Sequence, residues 1–105
     1  MTVLADSYVV DSLERLRRDI RATGHIAQTD FVAQRASEVA TFQDEPASFV
    51  QKVVDDVQQR FQDEFIDTTW PACPIHSNHP LDFGDGVWRC PTTSVVAARL
   101  GELEG

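Results

Sequence analysis

The chain has 105 residues, 42% of them hydrophobic, and a net charge of −8. That length suits one domain, or one domain with a small appendage, and burial of roughly two-thirds of the unfolded surface, which excludes a disordered chain. Residues 1–67 carry thirteen acids against seven bases and residues 68–105 four against two, so neither half offers the positive footprint that phosphate binding requires.

Asp6 or Ser7 can cap a first helix. Val9, Leu13, Leu16 and Ile20 then form one helical stripe, opposed by a charged face of Glu14, Arg15, Arg17, Arg18, Asp19 and Arg21. The arginines read as a solvated face with i,i+4 partners such as Glu14–Arg18. Gly24 is expected as the C′ residue, and His25 as a solvated turn residue. A second helix is expected from Thr29, as N-cap, to about Phe42, with a weaker stripe of Val32, Ala36 and Val39.

Asp44-Glu45-Pro46 is a start signal, with an acidic cap and a proline in the first turn. The third helix, about 46–66, carries Val50, Val54, Val57, Phe61 and Phe65 on one stripe, and should run close to the C-terminal segment. Asp55-Asp56 and Asp63-Glu64 read as a wet face. From Trp70 the texture changes: Pro71, Pro74, Pro80 and Pro91 punctuate a segment with no helical period. His79 to Phe83 and Val87 to Cys90 read as strands around the turn Gly84-Asp85-Gly86. Ser94 to Leu100 supplies a third strand, and residues 101–105 a loose tail. The expected fold is α+β, a helical segment (1–67) followed by a small three-stranded antiparallel unit (68–105), as two parts or one compact domain. Three such short strands have almost no core and need packing or a metal staple.

No stretch reaches the eighteen or so apolar residues of a membrane span. Met1-Thr2-Val3-Leu4-Ala5-Asp6 has no basic n-region, so no secretory signal is read and a cytoplasmic protein is expected. That compartment keeps thiols reduced, which favours a metal over a disulfide for the two cysteines.

The chemistry lies in Cys73-Pro74-Ile75-His76-Ser77-Asn78-His79-Pro80 and, ten residues on, Cys90-Pro91: a C-x2-H-x2-H-x10-C array. Cys73, His76, His79 and Cys90 are the donor types a tetrahedral zinc ion takes. Two thiolates and two neutral imidazoles leave the zinc site with no net charge, so burying it costs little. His79 is a direct ligand or else a supporting or capping histidine, with water or an acid in the fourth position. A Cys73–Cys90 disulfide and two buried free thiols are the competing readings. Trp70 and Trp88 flank the array, as its small core packed on the third helix or as a binding platform.

The segment resembles a degenerate zinc ribbon, in which zinc sits between two turns of the Cys-Pro-x-Cys kind. Here the turns are Cys73-Pro74-Ile75-His76 and Cys90-Pro91-Thr92-Thr93, with Thr93 standing where a ligand belongs and His79 able to fill the gap. The run from Thr68 to Leu81, with Trp88-Arg89-Cys90-Pro91, is also similar to small uncharacterised proteins of actinobacteria.

A zinc deaminase would need a His-x-Glu element, but Ser77-Asn78 follows His76 and no glutamate lies between Glu64 and Glu102. The last thirty-eight residues hold only Arg89 and Arg99 as bases. Trp88 beside Arg89 is the one pair suited to stacking a nucleobase. The expectation is a small Zn2+-binding protein with a structural site, acting as a protein-interaction adaptor or assembly module. A nucleic-acid-associated ribbon is the alternative, a zinc enzyme the less favoured one, and an acidic surface suits a basic protein partner.

Overall fold

The structure, a computed structural model, describes residues 3–76 and 78–103. After a 3-10 turn at Val3–Ala5 come three helices, α1 (Ser7–Ala22), α2 (Thr29–Val39) and α3 (Pro46–Asp63). A three-stranded sheet follows, β1 (Asp82–Gly84), β2 (Val87–Arg89) and β3 (Val96–Arg99). The strands form an antiparallel meander in the order β1-β2-β3, so the architecture is α+β as the sequence implies.

The helix ends follow from local chemistry. The Asp6 carboxylate accepts from the amides of Tyr8 and Val9 and caps α1. Gly24, at φ +86°, closes it: its amide donates to Arg21 O and that of His25 to Ile20 O, a Schellman pair. For α3 the cap is Glu45, whose carboxylate accepts from Ser48 at 2.7 Å and Ala47 at 3.3 Å. Those amides, Ser48 foremost, hold its carboxyl below the usual range.

Thr29 is not an N-cap. It is the first residue of α2, behind a 3-10 turn at Ile26–Gln28, and its hydroxyl donates back to Ile26 O. The second helix also ends at Val39 rather than Phe42, and α3 stops at Asp63, because Phe65 takes the left-handed conformation at φ +54°.

The stripes meet in one core. Val9, Leu13, Leu16 and Ile20 of α1, Val32, Ala36 and Val39 of α2, and Phe49, Val50, Val53, Val54, Val57 and Phe61 of α3 are all buried. Trp70, Cys73, Leu81, Trp88, Cys90 and Leu100 belong to the same cluster. The sheet therefore borrows its core from the helices, which answers the instability of a three-stranded meander. Edge-to-face and tilted ring contacts run through the join, Phe61–Trp70 at 4.7 Å, Trp70–Trp88 at 5.5 Å and Trp88–Phe83 at 5.3 Å. Both tryptophans thus pack inward and neither is a platform.

Polar contacts fix the same join. Asp19 is not on the solvated face of α1 but fully buried. It accepts from Trp88 Nε1 at 2.9 Å, Gly101 N at 2.7 Å and Leu103 N at 3.0 Å. Residues 101–103 are accordingly tied down rather than loose; Glu104 and Gly105 of the expected tail lie outside the described residues. Trp70 Nε1 donates to Thr23 Oγ1 at 2.8 Å, and Gln58 Nε2 donates to Leu81 O at 2.8 Å.

His25 is likewise no free turn residue. It is half-buried, 3.1 Å from Asp67 Oδ2 through Nε2, with its ring against Phe61. Glu14 pairs with Arg17 and Arg21 rather than Arg18. In the acidic face of α3, Asp56 is paired with Arg35 and Lys52.

Candidate metal centre

The first half of the site is the loop between α3 and β1. Its prolines deny it a helix, and backbone bonds fold it back on itself. Cys73 N donates to His79 O, His79 N to His76 O and Leu81 N to Pro71 O. A lone bridge pairs Ala72 with Pro80. The first strand is consequently shorter and later than the sequence suggests, beginning at Asp82 instead of His79.

The second half is the connection after β2. Asp85 and Gly86, at φ +52° and +78°, make the tight β1–β2 hairpin turn expected of an Asp-Gly pair. β2 then delivers Cys90, where the chain turns over Pro91-Thr92-Thr93. Ser94 N donates to Cys90 O and Cys90 N to Val95 O, with Ser94 at φ +63°. This turn uses up the start of the expected third strand, which runs only from Val96 to Arg99. The β2–β3 register shifts between Trp88 and Arg89.

These two turns bring three donor atoms together. Cys73 Sγ lies 3.9 Å from His76 Nδ1, and Cys90 Sγ lies 3.5 Å from the same nitrogen. All three donor atoms fall within 4.8 Å of one another, a group that could hold a metal ion. Around a tetrahedral zinc, bond lengths of about 2.3 Å to sulfur and about 2.05 Å to nitrogen place S and N about 3.6 Å apart. The observed separations bracket that figure, so the two turns need little rearrangement to close on an ion. The two cysteines are not bonded to each other and both are buried, and His76 is half-buried.

His79 stands apart from this group. Its side chain is exposed, and its ring centroid lies 6.2 Å from that of His76. Two imidazoles on one tetrahedral zinc would sit about 5.2 Å apart by centroid. His79 is therefore outside the group of three converging donors, on an exposed side chain.

Thr93 has a role its position in the sequence did not disclose. Its hydroxyl, followed by its own amide and that of Thr92, stabilises the Cys90 sulfur in its charged form, with a smaller contribution from His76. Together they outweigh the opposing effect of burial and lower the Cys90 thiol from 9.0 to about 6. The residue that stands where a ribbon ligand belongs thus prepares the neighbouring ligand instead. In the same turn Val95 N donates to Thr93 Oγ1 at 3.4 Å.

A cavity of about 210 Å³ opens beside the two sulfurs, lined by Cys73, Cys90, Pro74, Ile75, Val95, Val96 and Ala97. Apart from the cysteines its walls carry no acid, base or hydroxyl. Trp88, at 0% exposure and bonded to Asp19, is unable to stack a base beside Arg89. Among the described residues, no helix is long and apolar enough to cross a membrane. No family model, curated protein or solved structure matches the chain.

Proposed function

We propose that this is a small zinc-binding protein in which the metal is structural, and that the unit it closes serves as a protein-interaction or assembly module. The convergence of Cys73 Sγ, His76 Nδ1 and Cys90 Sγ within 4.8 Å carries the reading. Two thiolates with imidazole favour zinc over the hard cations, which take oxygen ligands. His79 supplies the fourth ligand by a side-chain rotation, giving a closed and neutral site.

A structural role suits the position. The ion would clamp the α3–β1 loop to the β2–β3 turn at the point where Cys73 and Cys90 enter the shared core. A catalytic zinc would require an open position and a nearby base, and the adjoining cavity wall offers no base. The interaction role rests on the surface around the clamp, where Ile75, Val95 and Val96 are exposed at 65%, 53% and 48%, and on the net charge of −8, which suits a basic partner.

Cys90→Ser tests both parts together. The variant is expected to lose zinc, to melt earlier than the wild-type chain and to lose any protein partner recovered with it by cross-linking. Unchanged melting and partner recovery in the metal-free variant would remove the structural role.

A further inference from the structure

The two cysteines are at once the whole thiol content of the chain and half of the proposed ligand set. They are buried at 1% and 2% exposure, yet both line the same apolar cavity of about 210 Å³. That cavity is wide enough for a peroxide and too small for glutathione disulfide. Its walls carry no charge besides the sulfurs, and the chain around it bears −8, so a small neutral oxidant is admitted and a bulky anionic one is opposed.

From this we infer that Cys73 and Cys90 form a redox-modification site. Hydrogen peroxide, entering through the Pro74–Ile75–Val95–Val96 cavity, converts the zinc-bound thiolate pair to a disulfide and releases the metal. The inference rests on the zinc reading. One thiolate attacks a peroxide oxygen, forming an S–O bond as the O–O bond breaks, and hydroxide leaves. The second thiolate attacks the resulting sulfenic sulfur, forming the S–S bond and expelling a second hydroxide. The cysteine pair loses two electrons and the peroxide gains them. Two protons from solvent convert the hydroxides to water. The sulfurs already lie within 4.8 Å of each other, so the second step needs only a short approach. Zinc departs because His76 and His79 alone are too few ligands to retain it.

Oxidation would thus exchange the metal clamp between the α3–β1 loop and the β2–β3 turn for a direct Cys73–Cys90 bond and release His76 and His79, within the core cluster that both cysteines share with the helices.

The experiment treats the zinc-loaded full chain with hydrogen peroxide and, separately, with glutathione disulfide, following zinc release with a chromogenic chelator and the products by intact mass. Peroxide is expected to release one zinc per chain, remove both thiols and leave a mass two hydrogen atoms below the reduced chain. A dithiol reductant should restore zinc binding. Glutathione disulfide at equal concentration should act at least ~10-fold more slowly. Cys73→Ser should yield only oxygen adducts on Cys90. Zinc retained while peroxide adds oxygen to the sulfurs, or release with no disulfide formed, overturns the inference. Equal rates with the two oxidants overturn the cavity route. A chain that takes up no zinc at the outset removes the underlying reading itself, a failure visible before any oxidant is added.

Discussion

The indole N–H of Trp88, on the central strand, donates to the carboxylate of Asp19, on the first helix, at 2.9 Å, and both residues are fully buried. The same carboxylate takes the amides of Gly101 and Leu103. A single side chain therefore fastens the middle of the sheet and residues 101–103 to α1. A buried acceptor with three donors escapes the penalty of an unsatisfied polar group.

Removing that acceptor strands three donors in the interior. Asp19→Ala is expected to cost about 2–4 kcal/mol, a fall of about 10 °C or more in the melting midpoint. In a Trp88→Phe background the same change should cost less, by about 1 kcal/mol. A drop of only a degree or two in Asp19→Ala, or full additivity with Trp88→Phe, contradicts the assignment.

Gly101 reaches its bond to Asp19 at φ +93°, and a Cβ there would lie 2.9 Å from Arg15 Cβ and Cγ. Gly101→Ala should destabilise the fold by about 1–3 kcal/mol through backbone strain and this clash. Gly84 has open space around it, so Gly84→Ala should stay within about 0.5 kcal/mol. Chemical denaturation of the pair reads the difference, and equal midpoints count against it.

The fourth ligand can be tested spectroscopically. X-ray absorption of the zinc-loaded chain should fit two sulfurs at about 2.3 Å and two nitrogens at about 2.05 Å. His79→Ala should keep the metal but exchange one nitrogen for a water oxygen, while His76→Ala should lose one-to-one binding. A His79→Ala spectrum identical to wild type assigns the fourth position elsewhere.

The metal-free protein should show a pH dependence set by Cys90. Its thiol is lowered from 9.0 to about 6, chiefly by Thr93. Because the folded value lies below the unfolded one, the stabilisation is complete above about pH 9. It declines as pH falls and is lost through about pH 6. Thiolate absorbance of Cys73→Ser, where only Cys90 reports, should titrate near pH 6. Thr93→Val should move that midpoint upward. A midpoint near 9 in the Cys73→Ser chain contradicts the role given to Thr93.

The helices were largely legible because their signals are local. The Val9–Leu13–Leu16–Ile20 stripe, Gly24 at C′ and the acid before Pro46 each act within a few residues. What misled were positions decided elsewhere in the chain. Asp19 looks like part of the solvated face, yet it lies three residues from Leu16 on the same side as Ser12, the other buried polar residue of α1. Its partners are 69 to 84 residues away, so no local pattern reveals them. The early stop of α3 depends on Phe65 adopting a positive φ, which favours glycine and which an aromatic residue does not advertise. At the site, spacing was enough to gather Cys73, His76 and Cys90. It left His79 open between a direct ligand and a supporting residue, and exposure is what distinguishes it from His76 in the fold.

The central claim is that Cys73, His76 and Cys90 hold a zinc ion. Its most direct test is metal content of the purified, untagged chain, with thiols counted before and after a chelator. The account predicts one zinc per chain and two thiols that stay unreactive until the metal is stripped. A chain without metal, with both thiols reactive from the start, would contradict it.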